Sequence, residues 1–235
     1  NPIIPQEATT LPPGMPMKIP IYYRPFWGST FQILPDARFV NGPAEIGFDP
    51  VAFVNSQPGW LKSYSTYVGN QNRSGGEMVE YIAENYSISP RLLLAVLEHQ
   101  SGWVTQANPD PTTRQFPIGI QDAWREGLYL QLAWAANNLS RGFYLWQINA
   151  VGAWILADGS IVPIDPSINA GTAGIQQMFA LLYDRARWDQ AISPHGLFQI
   201  YSSLFGYPLD HAVEPLRPAD LTQPEMQLPC AESVI

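Results

Sequence analysis

The strongest hydrophobic pattern in the chain is Ser89–Gln100, where Leu92, Leu93, Leu94, Ala95, Val96 and Leu97 follow a Ser-Pro pair. Ser89 suits an N-cap. Pro90 suits the first helical position, where its missing N–H would have had no partner. Apolar side chains on every side predict a buried helix. Met78, Val79, Ile82, Ala83 and Tyr86 share one face of a helix at about 76–86. Leu128, Leu132, Ala135, Ala136, Leu139, Phe143 and Trp146 recur with a period near 3.6 and predict a long helix at roughly 124–147. Ile175, Met178, Phe179, Leu182 and Ala186 predict another, from near Asn169–Thr172 to about 187. Asp49-Pro50 and Ser193-Pro194 repeat the cap-plus-proline device. They open short helices through Val51, Phe53 and Val54 and through Leu197, Ile200, Tyr201 and Leu204. Within Trp154–Ile164, apolar residues flank Asp158-Gly159, which is a hairpin signal.

The two ends follow another pattern. Residues 1–45 are dense in proline and poor in helical period, which predicts an extended arm with short strands at Ile19–Tyr23 and Phe31–Leu34. From Tyr207 onward, Pro208, Pro215, Pro218, Pro224 and Pro229 predict an extended tail. The expected organisation is an arm at 1–45, a helical domain at 46–207 and a tail or linker at 208–235. The fold class is mostly α, with one small β-hairpin and proline-rich extended ends.

Composition narrows the partners more than the fold. The formal net charge is −8 with no basic run, which argues against nucleic acid and anionic membrane surfaces, since both need clustered Lys and Arg. No window offers ~18 consecutive apolar residues, so no transmembrane segment is expected. Charged residues make up 14% of the chain, beside 23 Pro, 8 Trp, 11 Tyr and 10 Phe. That balance fits an extracellular or envelope protein in contact with sugars, and it fits a thermostable core equally well. The chain opens at Asn1 without Met or an apolar signal core, which points to a processed or trimmed N-terminus. Cys230 is the single cysteine, which leaves no internal disulfide. His99, His195 and His211 lack metal-ligand spacing, and no nucleotide or G-x-S-x-G motif occurs, so neither metal nor cofactor is expected.

Candidate chemistry gathers where the buried helix ends, at Glu98-His99-Gln100-Ser101-Gly102-Trp103. Polar groups carried there cost free energy unless they are paired or used. The segment resembles the active-site helix of lysozyme-like lytic transglycosylases, in which a Leu/Ala-rich helix ends in Glu-Ser-Gly-aromatic. The matching tetrad is Gln100-Ser101-Gly102-Trp103, with Gln at the position of the family's acid. Gly119-Ile120-Gln121 resembles the family's Gly-Leu-Met-Gln element, one residue short. Ser167-Ile168-Asn169-Ala170-Gly171 resembles its Ala-Tyr-Asn-Ala-Gly element, with Ile168 in place of the substrate-facing tyrosine. Leu130–Tyr144 resembles the packing helix between them, and the likeness covers roughly Gly76–Gly206.

The resemblance implies a lysozyme-like, extracytoplasmic bacterial domain that recognises peptidoglycan glycan strands. Gln100, Ser101, Trp103, Gln121 and Asn169 would contact the glycan, with Trp103 stacking on a sugar ring. Cleavage in such proteins needs a protonated carboxylic acid beside the scissile oxygen, and an amide has no proton to transfer. Glu98 is the substitute acid, but two residues turn a helical side chain by about 200° away. Its other reading is a helix-end carboxylate paired with Arg91 or another cation. Asp110, Asp122, Glu126 and Asp165 suit caps, loops or the surface. Three functions therefore stand open: glycan recognition without cleavage, an active lytic transglycosylase or muramidase using Glu98, and a protein-interaction module that binds no sugar. Exposed aromatics along a continuous groove would favour the sugar readings, and an apolar patch without polar groups the last. Leu221–Pro229 loosely resembles the connector before a zinc endopeptidase module in bacterial envelope proteins, which implies a wall endopeptidase module as a partner.

Overall fold

The computed structural model describes residues 27–209. Eight α-helices carry a little under half of them: α1 (Asp36–Phe39), α2 (Pro50–Ser56), α3 (Gly75–Tyr86), α4 (Pro90–Ser101), α5 (Leu128–Gln147), α6 (Ala170–Ala180), α7 (Arg185–Ala191) and α8 (Leu197–Phe205). Two antiparallel hairpins complete the fold. β1 (Ser65–Val68) pairs with β2 (Gln71–Ser74), and β3 (Ala153–Ile155) pairs with β4 (Ile161–Pro163). The mostly α expectation holds, with a second small hairpin added.

Helix α4 forms for the reasons its sequence suggests. The Ser89 hydroxyl accepts from the Leu92 N–H at 3.2 Å, and Pro90 opens the first turn. Gly102, at φ +66°, closes the helix in the left-handed conformation that favours glycine. Leu92 to Leu97 have no exposed surface, and burying each large aliphatic side chain stabilises the fold by roughly 1.5–3 kcal/mol. The helix packs on α8, α3 and α5. Helix α3 begins with a reciprocal cap, in which Ser74 accepts from the Glu77 N–H while the Glu77 carboxylate accepts from the Ser74 N–H.

Helices α5 and α6 form the main helix pair, brought close by two glycines. A Cβ on Gly142 would lie 2.9 Å from the Gly174 Cα, and one on Gly174 would lie 2.7 Å from the Leu139 carbonyl oxygen. Phe39 of α1 fills the space beside Gly174 and stacks on Phe143 at 4.7 Å.

Four local expectations differ from the structure. The helix expected over 172–187 is two helices: α6 stops at Ala180, and Asp184 starts α7 by accepting from the Arg187 N–H at 2.9 Å. The apolar period runs on through Leu182, so it hides the break that the Asp184 cap imposes. Ser193-Pro194 forms a turn, with the Ser193 hydroxyl accepting from the His195 N–H, and α8 begins only after Gly196. Residues 123–125 form a 3₁₀ turn ahead of α5, because Gly127 at φ +90° separates them. Phe31–Leu34 is not a strand. Ile33 and Leu34 are buried there, and the Ile33 N–H donates to the Thr172 hydroxyl at 2.9 Å. Part of the proline-rich arm thus lies on the helical body. Ile19–Tyr23 and the tail beyond 209 lie outside the described residues.

The hairpin β1–β2 had a sequence signal. Gly69-Asn70 joins two four-residue strands, both turn residues having φ +63°, which suits Gly and Asn. Its strands are short, largely polar and nowhere fully buried, so no alternating apolar pattern marks them.

Candidate functional site

The end of α4 is built as a structural joint. The Glu98 carboxylate accepts from the Val104 N–H at 2.9 Å, the Thr105 N–H at 3.1 Å and the Thr105 hydroxyl. It thereby pins the turn that follows Gly102. That turn receives a second segment, because the Trp60 N–H donates to the Gln106 carbonyl at 2.8 Å and the Leu61 N–H to the Trp103 carbonyl at 2.9 Å. Gly59 makes this approach possible, since a Cβ there would lie 2.2 Å from the Val104 carbonyl. Arg91, the cation considered for Glu98, instead pairs with the buried Glu45 at 2.6 Å. Burial pushes the Glu45 carboxyl upward, against the opposing pull of Arg91 and the Ser89 hydroxyl.

The other residues expected at the site disperse. The Gln100 side-chain oxygen accepts from the Tyr183 hydroxyl at 2.7 Å, while its buried Nε2 has no hydrogen-bond partner. The Ser101 hydroxyl donates back to the Leu97 carbonyl at 2.9 Å. Trp103 is corrected outright: it has no exposed surface, packs against Tyr64 and donates from Nε1 to the Thr113 hydroxyl. It cannot stack on a sugar ring in this structure, because the chain turns inward after Gly102. Asn169 fastens residues 34–36 to α6, donating to the Leu34 carbonyl at 2.7 Å and the Asp36 carboxylate at 2.6 Å. Ile168 is buried, and Gln121 lies exposed on its loop. Asp110 and Asp122 cap 3₁₀ turns, and Asp165 is buried and accepts from the Ser167 N–H.

A different set of residues lines a strip along α3 and α5 that holds two pockets. One end, about 270 Å³, is lined by Tyr81, Asn85, Tyr86 and Tyr129, and the other, about 460 Å³, by Tyr86, Trp124, Trp134 and Asn137. Tyr86 belongs to both. The Tyr81 and Tyr129 rings lie 6.2 Å apart, and the Arg73 guanidinium sits 4.1 Å above Tyr81. Trp124 is 89% exposed, so the ring is free to receive a ligand. Asp122 and Arg125, ion-paired at 3.3 Å, also line this end.

Buried Gln131 on α5 sets this arrangement. Its side-chain oxygen accepts from the Ile118 and Ile120 N–H groups, and its nitrogen donates to the Ile120 and Arg125 carbonyls at 2.8 and 2.7 Å. All four bonds run to the 118–125 loop, which carries Trp124. None of Glu98, Gln100, Ser101, Trp103 or Asn169 lines the groove. From the sequence, Trp103 was the expected sugar-stacking ring and Tyr86 belonged to the apolar face of α3, while Tyr81 and Tyr129 carried no functional expectation. The available signal was the run of Tyr81, Asn85 and Tyr86 beside the apolar face of α3.

On another part of the body, the ends of α4 and α6 meet α7 and α8 around a cavity of about 390 Å³ lined by His99, Tyr183, Arg187, Gln190, His195 and Ile200, among others. Burial pushes the His99 pKa down to about 4, so its imidazole is neutral at neutral pH. Burial also pushes the Tyr183 hydroxyl upward. No group of three His, Cys, Asp or Glu among the described residues is arranged to hold a metal ion, and no described helix is long and apolar enough to cross a membrane.

Searches of curated proteins and of solved structures return no match. A family model described as the LasA N-terminal domain matches residues 32–218. The match runs from the coil before α1 to beyond α8 and covers most of the sequence. The chain belongs to the LasA N-terminal domain family.

Proposed function

We propose that this chain is an extracytoplasmic, lysozyme-like domain that recognises peptidoglycan glycan strands along the Tyr81–Trp124 groove and does not cleave them. The groove carries the proposal: the exposed Trp124 ring and half-buried Tyr81, Tyr86, Tyr129 and Trp134, beside Asn85, Asn137, Asp122 and Arg125, offer an aromatic face and hydrogen-bonding groups together. An apolar patch for a protein partner would lack that polar set. Association of the LasA domain family with secreted proteins supports the location.

The end of α4 supports a reading without cleavage. Both Glu98 oxygens are occupied as acceptors in the joint, and Gln100 has no proton to transfer. The likeness at Leu221–Pro229 supports a wall endopeptidase module as a partner.

Binding to insoluble peptidoglycan and to chito-oligosaccharides tests this function. Wild type is expected to bind both and to leave a wall suspension uncleared. Trp124→Ala should weaken oligosaccharide binding by about tenfold, the loss of one stacking contact, with the unfolding midpoint unchanged. With a net charge of −8, the protein is repelled by anionic wall polymers, so added salt should preserve or strengthen wall binding. No binding by wild type, or equal binding by Trp124→Ala, would refute the groove. Lysis at an ordinary enzymatic rate, lost in a fully folded Glu98→Gln variant, would establish the enzyme instead.

A further inference from the structure

We propose that the cavity between the end of α4 and helices α7 and α8 is a second binding site, for a ligand that presents a carboxylate on an apolar body. The site is independent of the glycan groove, with which it shares no lining residue.

Three observations converge on that ligand. The first is charge. No Asp or Glu among the described residues lines the cavity, although acidic residues outnumber basic ones in this chain, 20 to 12. Arg187 lines it, and its guanidinium makes no hydrogen bond or ion pair among the described residues. Arg185, on the same helix, is by contrast tied to Asp189 at 2.7 Å. The exposed Arg187 guanidinium at the mouth of the cavity offers the planar donor fork that binds a carboxylate through two parallel bonds. Gln190 and His195 add further hydrogen-bonding groups around it.

The second is the rest of the lining. Ile200, Ala191 and the Tyr183 ring give the cavity an apolar side. Tyr183 is held still, stacked on Phe179 with ring centres 5.5 Å apart and bonded to Gln100. Gly196 contributes backbone where a Cβ would lie 2.1 Å from the Ala191 carbonyl, so the corner between α7 and α8 is closed around the site. A volume of about 390 Å³ lies within the ordinary range for small-molecule sites.

The third is a pair of polar atoms that folding leaves without partners. His99 Nδ1 and Gln100 Nε2 are both buried and unpaired, one on a lining residue and the other on the residue that anchors Tyr183. Unpaired buried polar atoms are costly and uncommon in folded proteins. Of the two residues, His99 lines the cavity and Gln100 stands behind it, bonded to the lining Tyr183. A neutral His99 adds no second positive charge there, so the ligand's anionic group is directed to Arg187.

The carboxylate has two sources, a peptide C-terminus or a free small acid. Full-length protein, isotope-labelled at histidine, is titrated with N-acetyl-Ala-Leu, with its C-terminal amide and with hexanoate, following the His99 and His195 ring signals. Saturable shifts with N-acetyl-Ala-Leu but not with the amide are expected, and Arg187→Gln should weaken binding by roughly ten- to a hundredfold. Hexanoate binding as tightly as the dipeptide assigns the site to small acids, and weaker binding assigns it to peptide ends. Chito-oligosaccharide binding measured on Arg187→Gln should be unchanged and reports that the fold is intact. Equal binding of acid and amide, unchanged affinity in folded Arg187→Gln, or no saturable shift with any probe would overturn the proposal.

Discussion

Glu98→Ala is expected to lower the unfolding free energy by about 2–3 kcal/mol. The substitution leaves the Val104 and Thr105 N–H groups and the Thr105 hydroxyl without their acceptor. Hydrogen bonds to a charged group contribute roughly 1.5–3 kcal/mol each, but Thr105 is exposed and water recovers part of its loss. The damage should spread to the neighbouring segment, because the pinned turn also accepts from Trp60 and Leu61 across Gly59. Glu98→Gln keeps one acceptor oxygen and should cost less than half as much. Urea denaturation of the three proteins at neutral pH measures both effects. Equal stability in all three would show that the carboxylate is not holding the joint.

Acidification is expected to weaken the fold through His99. Its folded pKa, about 4, lies below the ordinary 6.5 because burial disfavours the imidazolium. Between those values the unfolded chain takes up a proton that the folded chain refuses. Stability from this group is therefore complete above about pH 6.5 and declines as pH falls towards 4, by up to roughly 3 kcal/mol in total. Tyr183, Arg187 and His195 face the same cavity, and none is a carboxylate able to stabilise the imidazolium. Glu45 acts in the opposite direction, since its raised pKa lets the folded state bind a proton first as pH falls. The difference between wild type and His99→Asn isolates the histidine. The wild type's advantage should shrink by about 2 kcal/mol from pH 7 to pH 4.5, as measured by chemical denaturation. A difference that stays constant across that range would show that His99 does not titrate as its burial requires.

Much of the fold was legible because the signals were local. Ser89, Pro90 and Gly102 act within one turn of the helix they delimit, and six consecutive apolar residues require burial whatever surrounds them. The Asp158-Gly159 turn was equally readable, with Gly159 at φ +83° and Asp158 accepting from the Ser160 N–H. Periodicity misled where a cap overrode it, as at Asp184, and missed β1–β2, where polar strands carry no alternation.

The candidate groove was scarcely legible. Tyr81 and Tyr86 come from α3, Tyr129 and Trp134 from α5, and Trp124 from a loop that Gln131 holds in place. Each looks like an ordinary core aromatic in sequence. Trp103 and Trp124 illustrate the difficulty, since one is wholly buried and the other almost wholly exposed. The sequence by itself determined most of the longer helices and the caps at Asp49 and Ser89, because propensity, apolar period and side-chain chemistry belong to residues and their near neighbours. Only the tertiary structure decided that Glu98 holds a joint, that aromatics from α3, α5 and the 118–125 loop gather on one face, and that Arg187 has no carboxylate partner among the described residues. Pairing and exposure depend on which distant segments arrive at each side chain, and packing of the whole core decides that.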